Sequence, residues 1–173
     1  SMIPLPISPY AMHKLMGEEL CLNYSKNFGL DTVCLRYFNV YGQRMATEGA
    51  YKLVLAIFME QKQKGLPLTI YGDGTQTRDF THVSDIVDLN ILAMKHDGRL
   101  NGRSFNGGTT KETSVNELAN FFGGEKQYIE NPRGKEEKRK VANIIDSMDI
   151  LGWRPKYKMP DGLNELFTNP QNS

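Results

Sequence analysis

Apolar side chains recur at helical intervals between Ser8 and about Asn27, with Leu15, Met16, Leu20 and Tyr24 on the repeating positions. Ser8-Pro9 supplies a cap followed by a proline in the first turn, and Gly29 supplies the stop. The stretch DTVCLRYFNVYG is dense in β-branched and aromatic residues and closes on glycine, which predicts a buried strand running into a loop. AYKLVLAIFMEQKQKG returns to helical spacing and ends at Gly65. LPLTIYG predicts a short strand, DGTQTR a turn and DFTHV a second extended run. SDIVDLNILAMKHDG predicts a helix capped by Ser84 and continuing to about His96. GRSFNGG reads as strand and turn, and TSVNELANFFGG as a short helix with Ser114 and Glu117 at capping-box spacing. EKQYIE is extended and NPRGKEEKRK is a charged loop. SMDILGW and MPDGLNELF are short helical turns, the second started by Pro160 and Asp161. Short strands alternate with helices and no segment repeats, which predicts an α/β fold with mixed strand pairing.

Composition narrows the partners. Lys+Arg number 21 and Asp+Glu 20 in 173 residues, a net charge of +1. That balance lacks the basic face of a nucleic-acid binder. No apolar run approaches the roughly 20 residues needed to span a bilayer, and SMIPLPIS lacks the basic start and apolar middle of a signal peptide. The expected setting is cytoplasmic. Cys21 and Cys34 form no metal or redox spacing, so both are expected to be reduced and mostly buried. His82 and His96 read as structural, and no metal site is expected.

One spacing carries chemistry. Tyr10 and Lys14 lie four apart and share a helix face. An ammonium beside a phenol favours phenolate, and a tyrosine tuned in that way can exchange a proton with an alcohol or carbonyl. Such pairs also occur on many helices by chance, so the spacing alone decides nothing.

Four further blocks stand in a fixed order: SPYAMHKLMGEEL, GLDTVCLRYFNVYGQR, LPLTIYGDGTQTRDFTHVSDIV, and RSFNGGTTKETSVNELA followed by PRGKEEKR and DILGWRPK. Together they resemble the extended short-chain dehydrogenase/reductases, within them the NAD-dependent nucleotide-sugar epimerases and dehydratases. The resemblance covers nearly the whole chain. It implies the carboxy-terminal part of a Rossmann-like fold with the small substrate-binding domain. Residues 1–45 would be the Rossmann-like remnant. Residues 46–173 would mainly bind the nucleotide sugar, with some segments returning to the Rossmann-like part.

The same resemblance implies roles. Tyr10 would transfer the proton, and Lys14 would tune it and hold the nicotinamide ribose. Tyr37 and Phe38 would lie by the nicotinamide and Asn39 by the sugar diphosphate. Leu53, Val54, Thr69 and Tyr71 would border the nucleotide. Arg78 and Arg133 would pair with the diphosphate, and Glu136 would accept from ribose hydroxyls. Two arginine forks suit phosphate oxygens and a carboxylate suits a diol. Taken singly, Arg78 could pair with Asp79 on the surface, Asn39 could cap a turn and Tyr71 could be core. Glu136 could belong to a solvated charge run.

The family's NAD-binding glycine turn, of the G-x-x-G-x-x-G kind, is missing from these 173 residues; Gly107-Gly108 and Gly123-Gly124 do not fit it. The chain therefore reads as a carboxy-terminal half, the first βαβ unit being absent. NAD is expected to bind the complete protein and not this chain alone. The expected function is a UDP-sugar 4-epimerase, truncated and inactive by itself. A 4,6-dehydratase and a non-catalytic sugar-nucleotide module stand as alternatives. The expected partners are a nucleoside-diphosphate sugar and a second copy of the chain, with the Tyr10 helix in the subunit contact.

Overall fold

A computed structural model describes residues 4–46, 49, 52–132, 134 and 137–168. The elements in chain order are α1 (Pro9–Phe28), β1 (Val33–Tyr37), β2 (Val40–Tyr41), α2 (Val54–Gln63), β3 (Leu68–Tyr71), β4 (Thr77–Arg78), β5 (Thr81–His82), α3 (Val83–Met94), β6 (Arg103–Gly107), β7 (Thr113–Ser114), α4 (Val115–Phe122), β8 (Lys126–Ile129), β9 (Arg139–Lys140), α5 (Ile145–Asp149) and α6 (Met159–Thr168). Parallel pairs dominate: β1 with β6, β2 with β5, and β3 with β8. β4 is the centre of a small mixed sheet, antiparallel to β7 and parallel to β9. The α/β class with mixed pairing is as expected.

Two apolar cores organise these elements. One gathers Leu55 and Phe58 of α2, Leu68 and Ile70 of β3, Leu118 and Phe122 of α4, and Leu163 and Leu166 of α6. Phe58 and Phe122 meet edge to face with centroids 5.7 Å apart, a geometry aromatic quadrupoles favour. The other gathers Ile86 and Leu89 of α3, Phe105 of β6, Ile144, Leu151 and Trp153. The indole N–H of the buried Trp153 donates to the Asp85 carbonyl at 2.8 Å.

Several local expectations need correction. Thr77 and Arg78, read as part of a turn, form β4, and Arg139 and Lys140 of the charged loop form β9. Their strand character comes from partners far away in sequence, which no local pattern records. α3 is capped by His82 rather than Ser84: His82 Nδ1 accepts from the Ser84 N–H, so the helix starts two residues earlier, and it ends at Met94 rather than His96. β1 is only half covered, with Arg36 and Tyr37 exposed. Among the described residues β6 is its one neighbour, which leaves an open edge. Both cysteines are half-buried rather than mostly buried.

α1 forms as expected, with Ser8 Oγ accepting from the Ala11 N–H and Gly29 closing the helix at φ 71°. Its packing is sparse. Met12, Met16, Leu20 and Tyr24 are all exposed, and Ser25 is the helix's one buried residue. Among the described residues no helix is long and apolar enough to cross a membrane.

Candidate functional site

α1 runs back along β1, and their contacts fix the register. Thr32 Oγ1 donates to the Cys21 carbonyl at 2.6 Å. Two residues further along the strand stands Cys34, on the same side of the β1 path as Thr32. Two more residues on, Arg36 Nε donates to Glu18 Oε1 at 2.7 Å, and its guanidinium also grips Oε2. Ser104 of the neighbouring β6 donates to the same carboxylate at 3.1 Å. The Arg36 fork holds the Glu18 carboxyl below its ordinary pKa. Each step forward on the strand is a step back on the helix, so the amino-terminal turns of α1 lie toward the carboxyl end of β1. Tyr10 and Lys14 occupy those turns; Tyr37, Phe38 and Asn39 occupy that end. In parallel α/β sheets, ligands bind outside the carboxyl ends of the strands.

The Lys14 ammonium sits 5.4 Å from the centre of the exposed Tyr10 ring. Tyr37 donates its hydroxyl to Asn90 Oδ1 of α3 at 2.9 Å, and Asn90 is held in turn by donating to the Ile86 carbonyl at 2.7 Å. Phe38 continues the strand pairing through its N–H to the Gly107 carbonyl, and its ring packs on the second core.

Asn39 and Arg78 meet through Asp79. Asn39 adopts a positive φ of 33°, a region asparagine tolerates better than most residues. Its Nδ2 donates to the Asp79 carbonyl at 2.8 Å. Arg78 is buried, and its guanidinium donates to the carbonyls of Thr77 (2.7 Å) and Glu137 (3.0 Å). Asp79 is fully buried. Its carboxylate accepts from the Thr109 N–H (2.8 Å), the Thr109 hydroxyl (2.6 Å), the Thr110 N–H (3.0 Å) and the Ala142 N–H (3.1 Å). A buried carboxylate needs such partners. A Cβ at Gly108 would lie 2.8 Å from Asp79 Oδ2, so this glycine makes room for the hub. The surface ion-pair alternative for Arg78 and Asp79 is therefore replaced by burial of both.

The remaining candidates lie on the first core. Leu53 and Val54 open α2 and pack against that core. Thr69 is gripped by Gln61, whose Nε2 donates to Thr69 Oγ1 at 2.7 Å while Oε1 accepts from the Thr69 N–H at 3.0 Å. Tyr71 follows on the same strand, and its carbonyl accepts from Gln76 Nε2 at 3.0 Å. Arg133 and Glu136 lie outside the described residues. Asp79, Gln61 and Asn90 escaped the sequence reading. The acid after Arg78, at the start of the extended run DFTHV, was the available signal for the first of them.

His82 is structural, as expected. It stacks on Tyr157 at 4.1 Å between centroids, and its Nε2 lies 3.5 Å from Glu165 of α6. Burial lowers its pKa below the ordinary value, against the pull of Glu165 and Asp85. Among the described residues no three acidic, histidine or cysteine side chains converge as metal ligands.

The donor set at the start of α1 fits one end of a dinucleotide. An ammonium can donate to ribose hydroxyls, and a phenol beside it can reach a sugar hydroxyl.

Comparisons with known proteins bear on the family and the fold. The model of the NAD dependent epimerase/dehydratase family matches residues 2–108. A UDP-glucose 4-epimerase of Mycolicibacterium smegmatis is 34% identical over 172 residues, 95% of this chain and 54% of that protein. A UDP-N-acetyl-alpha-D-glucosaminuronate decarboxylase of Bacillus cytotoxicus is 44% identical over 110 residues, 64% of this chain and 33% of that protein. The crystal structure of a UDP-glucuronic acid 4-epimerase from Bacillus cereus, in complex with UDP-glucuronic acid and NAD, superposes with a TM-score of 0.87. It is 32% identical, and the match covers 96% of this chain and 54% of that one. The chain spans about half the length of the curated relatives it matches. The family model covers more than half of the chain, and the chain belongs to the NAD-dependent epimerase/dehydratase family.

Proposed function

We propose that the chain is the sugar-nucleotide side of an NAD-dependent UDP-sugar 4-epimerase. The observation that carries this reading is the α1–β1 register, which sets Tyr10 and Lys14 toward the strand end bearing Tyr37, Phe38 and Asn39. Bound NAD supplies the hydride acceptor and donor. The chain's own part is proton transfer and orientation. Tyr10 Oη takes the proton of the sugar hydroxyl as that carbon is oxidised and returns it on reduction, while the Lys14 charge favours the phenolate. Lys14 also donates to the nicotinamide ribose, beside Tyr37 and Phe38. Asn39, Arg78, Arg133 and Glu136 hold the nucleotide sugar, with Leu53, Val54, Thr69 and Tyr71 around the base.

Titration of the complete protein with UDP tests the binding half of this reading. Arg78→Ala should weaken UDP by roughly 10- to 100-fold, the loss of one charge-assisted hydrogen-bonding group. Tyr10→Phe should leave UDP affinity intact and lower turnover by about 10²- to 10⁴-fold. Near-normal turnover in that variant would make Tyr10 a bystander. The Bacillus cytotoxicus relative favours a second reading, decarboxylation of a UDP-sugar acid at the same tyrosine. Product analysis with UDP-glucose and UDP-glucuronic acid separates an epimer, a decarboxylated sugar and a dehydrated one. The apolar edge of α1 suits a second copy of the chain, and light scattering across concentrations tests dimer formation. The 173 residues alone should show no saturable NAD binding by saturation-transfer NMR.

A further inference from the structure

Cys21 and Cys34 are far from any redox spacing in sequence, yet the fold sets them face to face. Residues 32, 34 and 36 share one side of the β1 path, because side chains alternate along a strand. Residues 18, 21, 22 and 25 share one face of α1. The two faces are fastened above and below the thiols. On one side Thr32 Oγ1 donates to the carbonyl of Cys21 itself at 2.6 Å; on the other Arg36 is forked onto Glu18. Cys34 stands on the strand between these two fasteners and Cys21 on the helix face they hold against it, and both thiols are half-buried. We propose that Cys21 and Cys34 are a built dithiol site that closes to an intrachain disulfide with a small-molecule disulfide as oxidant, stapling α1 to β1.

The chemistry is thiol–disulfide exchange. Burial, reinforced by Cys21, pushes the Cys34 thiol up to about 11. Either thiol can open the reaction by the same steps, here Cys21. Its thiolate attacks one sulfur of the small disulfide; a Cys21 mixed disulfide forms and one small thiolate leaves, which takes up the proton Cys21 released. Cys34, as its thiolate, then attacks the Cys21 sulfur. The Cys21–Cys34 bond forms, and the second small thiolate leaves and is protonated in turn. Two electrons pass from the cysteine pair to the small disulfide. A bond of this kind needs the two Cβ atoms close together, which facing side chains on a helix and a strand held by flanking hydrogen bonds allow. The inference is independent of the proposed catalytic function.

Incubation of the native 173-residue chain with oxidised glutathione, followed by denaturing alkylation and intact mass measurement, tests it. The expected product has lost two hydrogens, takes up no alkylating reagent, and yields one reducible peptide joining α1 to β1. The rate should rise with pH, and the oxidised chain should unfold at a higher temperature than the reduced one. Cys34→Ser should stop at a single glutathione adduct on Cys21. Two alkylatable thiols after exposure would overturn the proposal. So would a stable glutathione adduct on the unaltered chain, a disulfide between two chains, or a lower unfolding temperature on oxidation.

Discussion

The first core and α1 are built on opposite plans. Around Phe58, Leu68 and Leu118 the side chains are sealed from water, and the buried Asp79 hub has its acceptors filled by backbone and hydroxyl donors. α1 is twice the length of α2, yet it buries a single serine and is tied to β1 by a few polar fasteners. Leu53, Val54, Thr69 and Tyr71, proposed to border the nucleotide, therefore stand on a well-packed platform, whereas the proposed proton-transfer pair rides on a helix with little burial of its own. The contrast shows that helical pattern and helical burial are separate facts. The same spacing of leucine and methionine can face a core or stand in the open, and only packing decides.

Substitutions can break this comparison, and the first core should give the largest effect. Phe58→Ala removes a fully buried ring and should cost about 3–5 kcal/mol in urea unfolding. A loss below about 1 kcal/mol would mean the platform is loosely packed. Asp79→Ala leaves the Thr109, Thr110 and Ala142 N–H groups unpaired and should cost roughly 3 kcal/mol. Glu18→Ala removes the Arg36 fork. Because Arg36 is half exposed, the expected cost is about 1 kcal/mol or less. Its clearer signature is faster amide exchange within α1, with the Asp79 region unchanged; equal protection in both regions would erase the contrast.

Acidification gives a smaller effect. His82 has a native pKa below its ordinary 6.5, so the folded chain binds fewer protons than the unfolded one between the two values. Stability should be complete above 6.5 and decline as the pH falls through that window. His82→Asn, which keeps a capping side chain, should flatten that part of the curve in thermal scans. The smallest effect belongs to Leu20→Ala. This side chain is 57% exposed, and its loss should change stability by no more than about 0.5 kcal/mol.

Much of this architecture was legible in the residues. Ser8, Pro9 and Gly29 bounded α1, and Ser114 with Glu117 announced the capping box that forms at α4. The Tyr10–Lys14 spacing offered a candidate pair, and α1 carries it toward the carboxyl end of β1. What stayed hidden depends on long-range pairing. Thr77 and Arg78 become strand only because Ser114 and Thr113 lie on one side and Arg139 and Lys140 on the other. Asp79 becomes a hub only when residues from beyond β6 and β9 reach it. Asn90 touches Tyr37 only because α3 packs over β1. A neighbour in space has no signature in local composition.

The parallel register of β1 with β6, Val33 beside Arg103 and Tyr37 beside Gly107, also sets an order of events in time. During synthesis α1 and β1 leave the ribosome long before their pairing strand exists, and α2, β3 and α3 must be made in between. Closing that loop costs chain entropy before the pairing returns anything, so refolding should be slow for a chain of this size. Throughout that interval the β1 edge that meets β6 stays unpaired. A nascent chain halted before Gly107 is thus the form most exposed to chaperones and to aggregation.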